Sequence, residues 1–161
     1  MVVTEQYPKV FGATVAEFGV GSPDAPPAEG ASGSSSSSSE VRTFAKRKFS
    51  MVTPDSEAAV AGYRVAGRHQ AVLFGVEAHV CVQQTCLDLL EAGHEVHVLL
   101  DGVSSQRKFD RAAAIARMQQ AGALVTTSES ALFDMIGDST HANFKAISGL
   151  VKTRPPHDNW D

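Results

Sequence analysis

Residues 71–101 read AVLFGVEAHVCVQQTCLDLLEAGHEVHVLLD, and this stretch decides the fold. Its opening, AVLFGV (71–76), is a continuous apolar run of strand length, the pattern of a strand covered on both faces. Residues 79–92 predict a helix. Val82, Cys86 and Leu89 recur along one side, and Leu87 and Leu90 widen the apolar arc. Gly93 stops it, as glycine does just past a helix end. HEVHVLL (94–100) is a second strand, closed by Asp101 and Gly102.

The same alternation runs outward in both directions. MVVT opens the chain with a strand over 2–4 and passes into a loop punctuated by Pro and Gly. Residues 54–65 predict a helix with Thr53 as N-cap, Pro54 at its first position, Glu57 in the opening turn and Gly67 beyond its end. Residues 108–121 predict another, with Phe109, Ala112, Ala113 and Ala116 on one face and Gly122 as its stop. A strand at 123–126 follows, then a helix capped by Ser128 with 130–136 behind it, and a last helix over 141–151. Strand and helix in alternation specify an α/β fold, a parallel sheet between helical layers in a three-layer α-β-α arrangement. The expected organisation is one domain in two parts, 1–21 and 41–152, interrupted at 22–40 and followed by a tail at 153–161. The interruption, SPDAPPAEGASGSSSSSSE beginning at Ser22, holds nothing apolar beyond alanine. It cannot bury enough surface to offset its ordering entropy, so a disordered insertion is expected.

Composition narrows the function classes. The 161 residues are 43% hydrophobic and 20% charged, with a formal net charge of −4. The only basic cluster is Lys46–Arg47–Lys48, and without a basic face a nucleic-acid partner is not expected. No run approaches the roughly 20 apolar residues of a membrane span, and the start has no signal-peptide pattern. Cys81 and Cys86, five apart on one helix, are poorly placed for a disulfide. A reduced compartment follows, cytoplasmic or organellar.

Ligands on parallel sheets gather at the carboxyl ends of the strands, here after Val3, Val76 and Leu100. Cys81 falls in the opening turn of the helix that follows Val76. A thiol there feels the helix dipole and the first backbone N–H groups, which favour the thiolate. The same N–H groups can hold a developing oxyanion. A cysteine so placed is otherwise a small buried hydrophobe, the role expected of Cys86. His79 reads as a polar residue of the first helical turn. The six histidines show no metal-ligand spacing, and neither metal nor cofactor is expected.

GVEAHVCV followed by QQTCLDLLEAG resembles the isochorismatase-like hydrolases, and within them the isochorismatase domain-containing proteins. TEQYPKVFGATVAEFG from Thr4, FAKRKFSMV from Phe44 and SSQRKFDRAAAIARMQQAGALVTTSES from Ser104 agree with it. The resemblance implies a Rossmann-like α/β hydrolase of small amides or esters that works through a cysteine thioester and self-associates. It implies Cys81 as nucleophile and Lys46 as the lysine of a Cys–Asp–Lys triad. It also implies a cis bond between Val76 and Glu77, with the amides of Glu77 and Cys81 as oxyanion hole. Glu5, Gln6 and Tyr7, just after the first strand, are expected to line the pocket. Asp101 matches a structural position.

One departure carries weight. The family's acidic residue ends a strand ahead of the TEQYP segment, in a motif such as D-x-Q, and that strand lies mid-sheet. No acidic residue precedes Glu5 here, so the first strand and its aspartate are absent from these residues. Two functional expectations follow: a hydrolase acting through Cys81, or a catalytically dead remnant or interaction module that keeps the fold without the triad.

Overall fold

A computed structural model describes residues 1–15, 18, 41–67 and 69–153; the serine-rich stretch and the tail past Thr153 lie outside the described residues. The chain forms two compact units, Met1–Arg68 and His69–Asp161.

In the first unit β1 (Val2–Gln6) and β2 (Arg42–Lys46) pair in parallel, Val2 opposite Arg42 and Gln6 opposite Lys46. The sequence reading has no strand at Arg42–Lys46. RTFAK offers a single large apolar side chain, and a five-residue strand with so little pattern takes its identity from its partner. A four-residue helix, α1 (Pro8–Phe11), replaces part of the expected loop, with Pro8 in its first turn. Helix α2 (Pro54–Val65) has the expected bounds. Thr53 caps it reciprocally: Ser56 N donates to Thr53 Oγ1 at 3.3 Å, and Thr53 N donates back to Ser56 Oγ at 3.0 Å.

The second unit is a three-stranded parallel sheet ordered β3–β4–β5, with β3 at Gln70–Val76, β4 at Glu95–Ser104 and β5 at Leu124–Thr126. The ladders thus form two separate sets where one sheet was expected. β4 runs four residues past its expected end at Leu100. A Cβ at Gly102 would meet Leu99 Cβ and Phe74 Cβ, each at 3.0 Å, so glycine there permits close approach and the strand continues. The β3–β4 register shifts between Leu73 and Gly75.

β4 is the core strand. Val96, Val98 and Val103 are buried, as are Cys86, Leu89, Ala114 and Met118. β3 departs from the covered strand expected of AVLFGV: Phe74 is 52% and Val76 66% exposed, and among the described residues β4 is its strand partner.

The helices are a one-turn π-helical segment (Ala78–Val82), α3 (Gln83–Glu91), α4 (Lys108–Gln120), α5 (Ser128–Ile136) and α6 (Phe144–Lys152). Gly93, at φ 79°, ends α3 in a Schellman arrangement, with His94 N donating to Leu89 O at 3.0 Å and Gly93 N to Leu90 O at 2.9 Å. The cap of α5 is Thr127, not Ser128: Thr127 Oγ1 accepts from Ser130 N. Ser128 belongs to the helix and donates its N–H and hydroxyl to the two carboxylate oxygens of Asp101, at 2.8 and 2.5 Å. α6 starts three residues later than expected. Residues 138–143 are held in turns by Asp138, which accepts from Thr140, and by His141 Nδ1, which accepts from Asn143 N, local bonds that compete with helix.

The Asp101 contact fastens β4 to the start of α5, where a carboxylate is favoured by the helix dipole. Asp101→Ala is expected to lower unfolding free energy by about 1–3 kcal/mol, because two donors lose a charged acceptor. A denaturant titration checks this; a change below about 0.5 kcal/mol would show the contact to be idle.

Candidate active site

Cys81 lies in the π-helical segment that leaves the carboxyl end of β3. The Val76–Glu77 peptide bond is cis, and Glu77 is extended at φ −83°, ψ 136°. Glu77 O accepts from Val80 N at 3.1 Å and Val82 N at 3.2 Å, closing the turn beneath the cysteine. Ala78 and Val82 anchor that turn in the core, and Thr85 Oγ1 donates to Cys81 O at 2.7 Å. Cys81 itself is half-buried. Cys86, one helical turn on, is fully buried, and desolvation pushes its thiol up to about 11.

Two further side chains of this turn reach out of it. His79 Nδ1 lies 3.0 Å from Ser105 Oγ, and Glu77 Oε2 accepts from Gln106 N at 2.9 Å. His79 is therefore tied across the sheet end and is not a freely solvated first-turn residue. Both ends of this link, EAHVC and SSQRK, are visible as motifs in the sequence; that they meet is not.

In the first unit, Lys46 is buried at the end of β2. Its Nζ donates to Gln6 Oε1 at 2.6 Å, Phe49 O at 2.6 Å and Lys48 O at 3.0 Å, as many acceptors as an ammonium has donors. The loop after β2 wraps this ammonium, and the loop is itself tightened by buried Ser50, whose Oγ accepts from Val52 N at 3.1 Å. Gln6 holds Lys46 with its carbonyl and donates its amide to Arg47 O at 2.9 Å. Glu5 is buried and accepts from Thr14 N at 2.8 Å. Tyr7 takes a left-handed backbone at φ 44°, uncommon for a residue with a side chain. Its N–H donates to Lys46 O at 2.8 Å, and the Arg47 guanidinium sits 4.8 Å from its ring centroid. Of the three expected pocket residues, Tyr7 lines a cavity of about 450 Å³, beside Lys9, Lys46, Arg47 and Lys48.

Among the described residues no cluster of His, Cys, Asp and Glu is placed to hold a metal ion, and no helix is long and apolar enough to cross a membrane.

The model of the isochorismatase domain matches residues 2–130. The chain belongs to the isochorismatase family. It is similar to isochorismatase domain-containing protein 1 of Salmo salar, 44% identical over 97% of this chain and 48% of that protein. It is also similar to the secreted isochorismatase effector Isc1 of Phytophthora sojae, 41% identical over 94% of this chain and 66% of that protein. Among solved structures, the MAR1 ribonuclease from Caenorhabditis elegans superposes with a TM-score of 0.77 at 39% identity, over 98% of this chain and 72% of that one. The chain thus spans about half to two-thirds of the length of the curated relatives it matches. This isochorismatase domain is an α/β fold with parallel sheets, as the sequence predicts.

Proposed function

We propose that this isochorismatase domain is a cofactor-free cysteine hydrolase acting on a small amide- or ester-like substrate. The observation that carries the reading is Cys81, half-buried in the first turn after β3, at the strand end where parallel sheets hold their ligands. The Cys81 thiolate adds to the carbonyl carbon, and the amides of Glu77 and Cys81 hold the oxyanion. Collapse breaks the C–N or C–O bond, the leaving group takes a proton from water, and a thioester remains. Water then adds to the thioester, the C–S bond breaks, and the carboxylic acid leaves as Cys81 is regenerated. By the family resemblance Lys46 is assigned the part of the triad lysine; within the first unit its Nζ is oriented by Gln6 and the loop carbonyls around it.

The test is to mix the protein with an activated p-nitrophenyl ester and follow intact mass and peptide masses. The expected result is a single acyl group on Cys81, absent from Cys81→Ala. Acylation elsewhere, or an equal adduct on the variant, would overturn the reading.

A second reading is an activity on RNA, favoured by the likeness to a ribonuclease and by the cavity that Lys9, Arg47 and Lys48 line, together with Asp55, in the first unit. Binding of a short single-stranded RNA that weakens steeply with salt would support it. The net charge of −4 places it second.

A further inference from the structure

We infer that Glu77, His79, Ser105 and Gln106 form a positioning set that fixes the Cys81 turn to the loop after β4. The inference rests on the reading of Cys81 as nucleophile and assigns it residues that act through the backbone. The β3–β4 ladder ends at Val76 opposite Ser104, and beyond that pair no strand hydrogen bond holds the two segments in register. Side chains take over at that point. Gln106 N donates to Glu77 Oε2 at 2.9 Å, and His79 Nδ1 sits 3.0 Å from Ser105 Oγ. His79 Nδ1 lies 3.8 Å from Glu77 Oε2, beyond hydrogen-bond distance, so the two links run side by side rather than through one atom.

The geometry explains why the turn needs such a set. Its underside is fixed by Ala78 and Val82 in the core, and its exit by Thr85 on Cys81 O. On its strand-proximal side, which carries the Glu77 amide, these side-chain links add to the packing of the turn against β3, β4 and α4. A displacement of about 1 Å at a reacting group can cost roughly a hundredfold in rate. The carboxylate of Glu77 and the imidazole of His79 therefore hold the Glu77 amide and the Cys81 thiol in one frame. None of the four side chains has to touch substrate in this role, which distinguishes them from the Cys81 thiol and from the Glu77 backbone amide.

The test uses the full chain and iodoacetamide, with alkylation of Cys81 and Cys86 read from the same digest. His79→Ala and Ser105→Ala are each expected to slow Cys81 alkylation about tenfold or more, and the double variant no further, since both remove one contact. His79→Asn is expected to restore most of the rate, because its amide reaches the position of Nδ1. Cys81 rates within twofold of the native chain in both alanine variants would overturn the inference while leaving Cys81 as nucleophile. A rise in Cys86 alkylation alongside the loss at Cys81, without rescue by asparagine, would overturn it by assigning these residues to global stability. If native Cys81 reacts no faster than Cys86, the nucleophile reading itself falls.

Discussion

Under a small excess of iodoacetamide near pH 7.5, Cys81 will be alkylated at least a hundredfold faster than Cys86. The thiolate is the reacting species, and its population falls about tenfold for each pH unit by which a thiol's pKa lies above the pH. Burial pushes the Cys86 thiol up to about 11, which leaves roughly one molecule in three thousand ionised. Cys86 is also closed to the reagent in the folded state, whereas Cys81 is half-buried on the turn after β3. The sign of the pH dependence follows. The folded Cys86 keeps its proton above the pH at which the unfolded thiol loses it. Its contribution to stability is complete below about pH 9 and is lost as the pH rises through about 11. Cys86 labelling should therefore remain slow until alkaline unfolding sets in. Peptide mass spectrometry over a time course measures both rates, and faster modification of Cys86 would move the nucleophile away from Cys81.

The distinction between these two cysteines is legible from sequence because periodicity carries it. Cys86 shares the apolar face of Val82 and Leu89, and all three are buried. Cys81 falls off that face, after an apolar strand, which places it at a strand end. The same reasoning gives α2 its bounds and places the stop at Gly93, since caps and left-handed glycines are local signals.

Where the reading falls short, the cause is non-local. β2 is a strand because β1 lies beside it, and RTFAK alone does not say so. β4 passes its expected end because Gly102 lets Phe74, 28 residues back in the chain, close on it. Gln6 reads as a polar strand end, yet its amide holds an ammonium 40 residues away. His79 reads as an ordinary first-turn residue because its partner is Ser105, 26 residues on. The π-helical turn under Cys81 has no composition signal at all: an i→i+5 bond from Val82 to Glu77 O changes the geometry without changing the apolar pattern. Chemistry-bearing residue types were visible; the side chains that orient them were not.

Assayed by themselves, these 161 residues are expected to turn over small amides about a hundredfold to ten-thousandfold more slowly than the same residues joined to a family-type strand ending in D-x-Q. Forming the thiolate does not require that aspartate, but delivering a proton to the leaving group and activating water for deacylation are general acid–base tasks. Glu5, the first acidic residue of the chain, is poorly placed to take them over. Its carboxylate is buried and accepts from Thr14 N at 2.8 Å, so releasing it would leave that donor unmatched. Lys46 is no substitute either, since its Nζ is held by Gln6, Lys48 and Phe49. Acylation by an activated ester, whose leaving group needs no proton, should survive in the short form, while amide turnover should not. Burst and steady-state rates for both substrates, measured on the short and extended forms with Cys81→Ala as control, separate the two steps. Equal amide turnover by the short and extended forms, abolished in both by Cys81→Ala, would show that the residues present supply their own acid. The catalytically dead alternative would then be excluded.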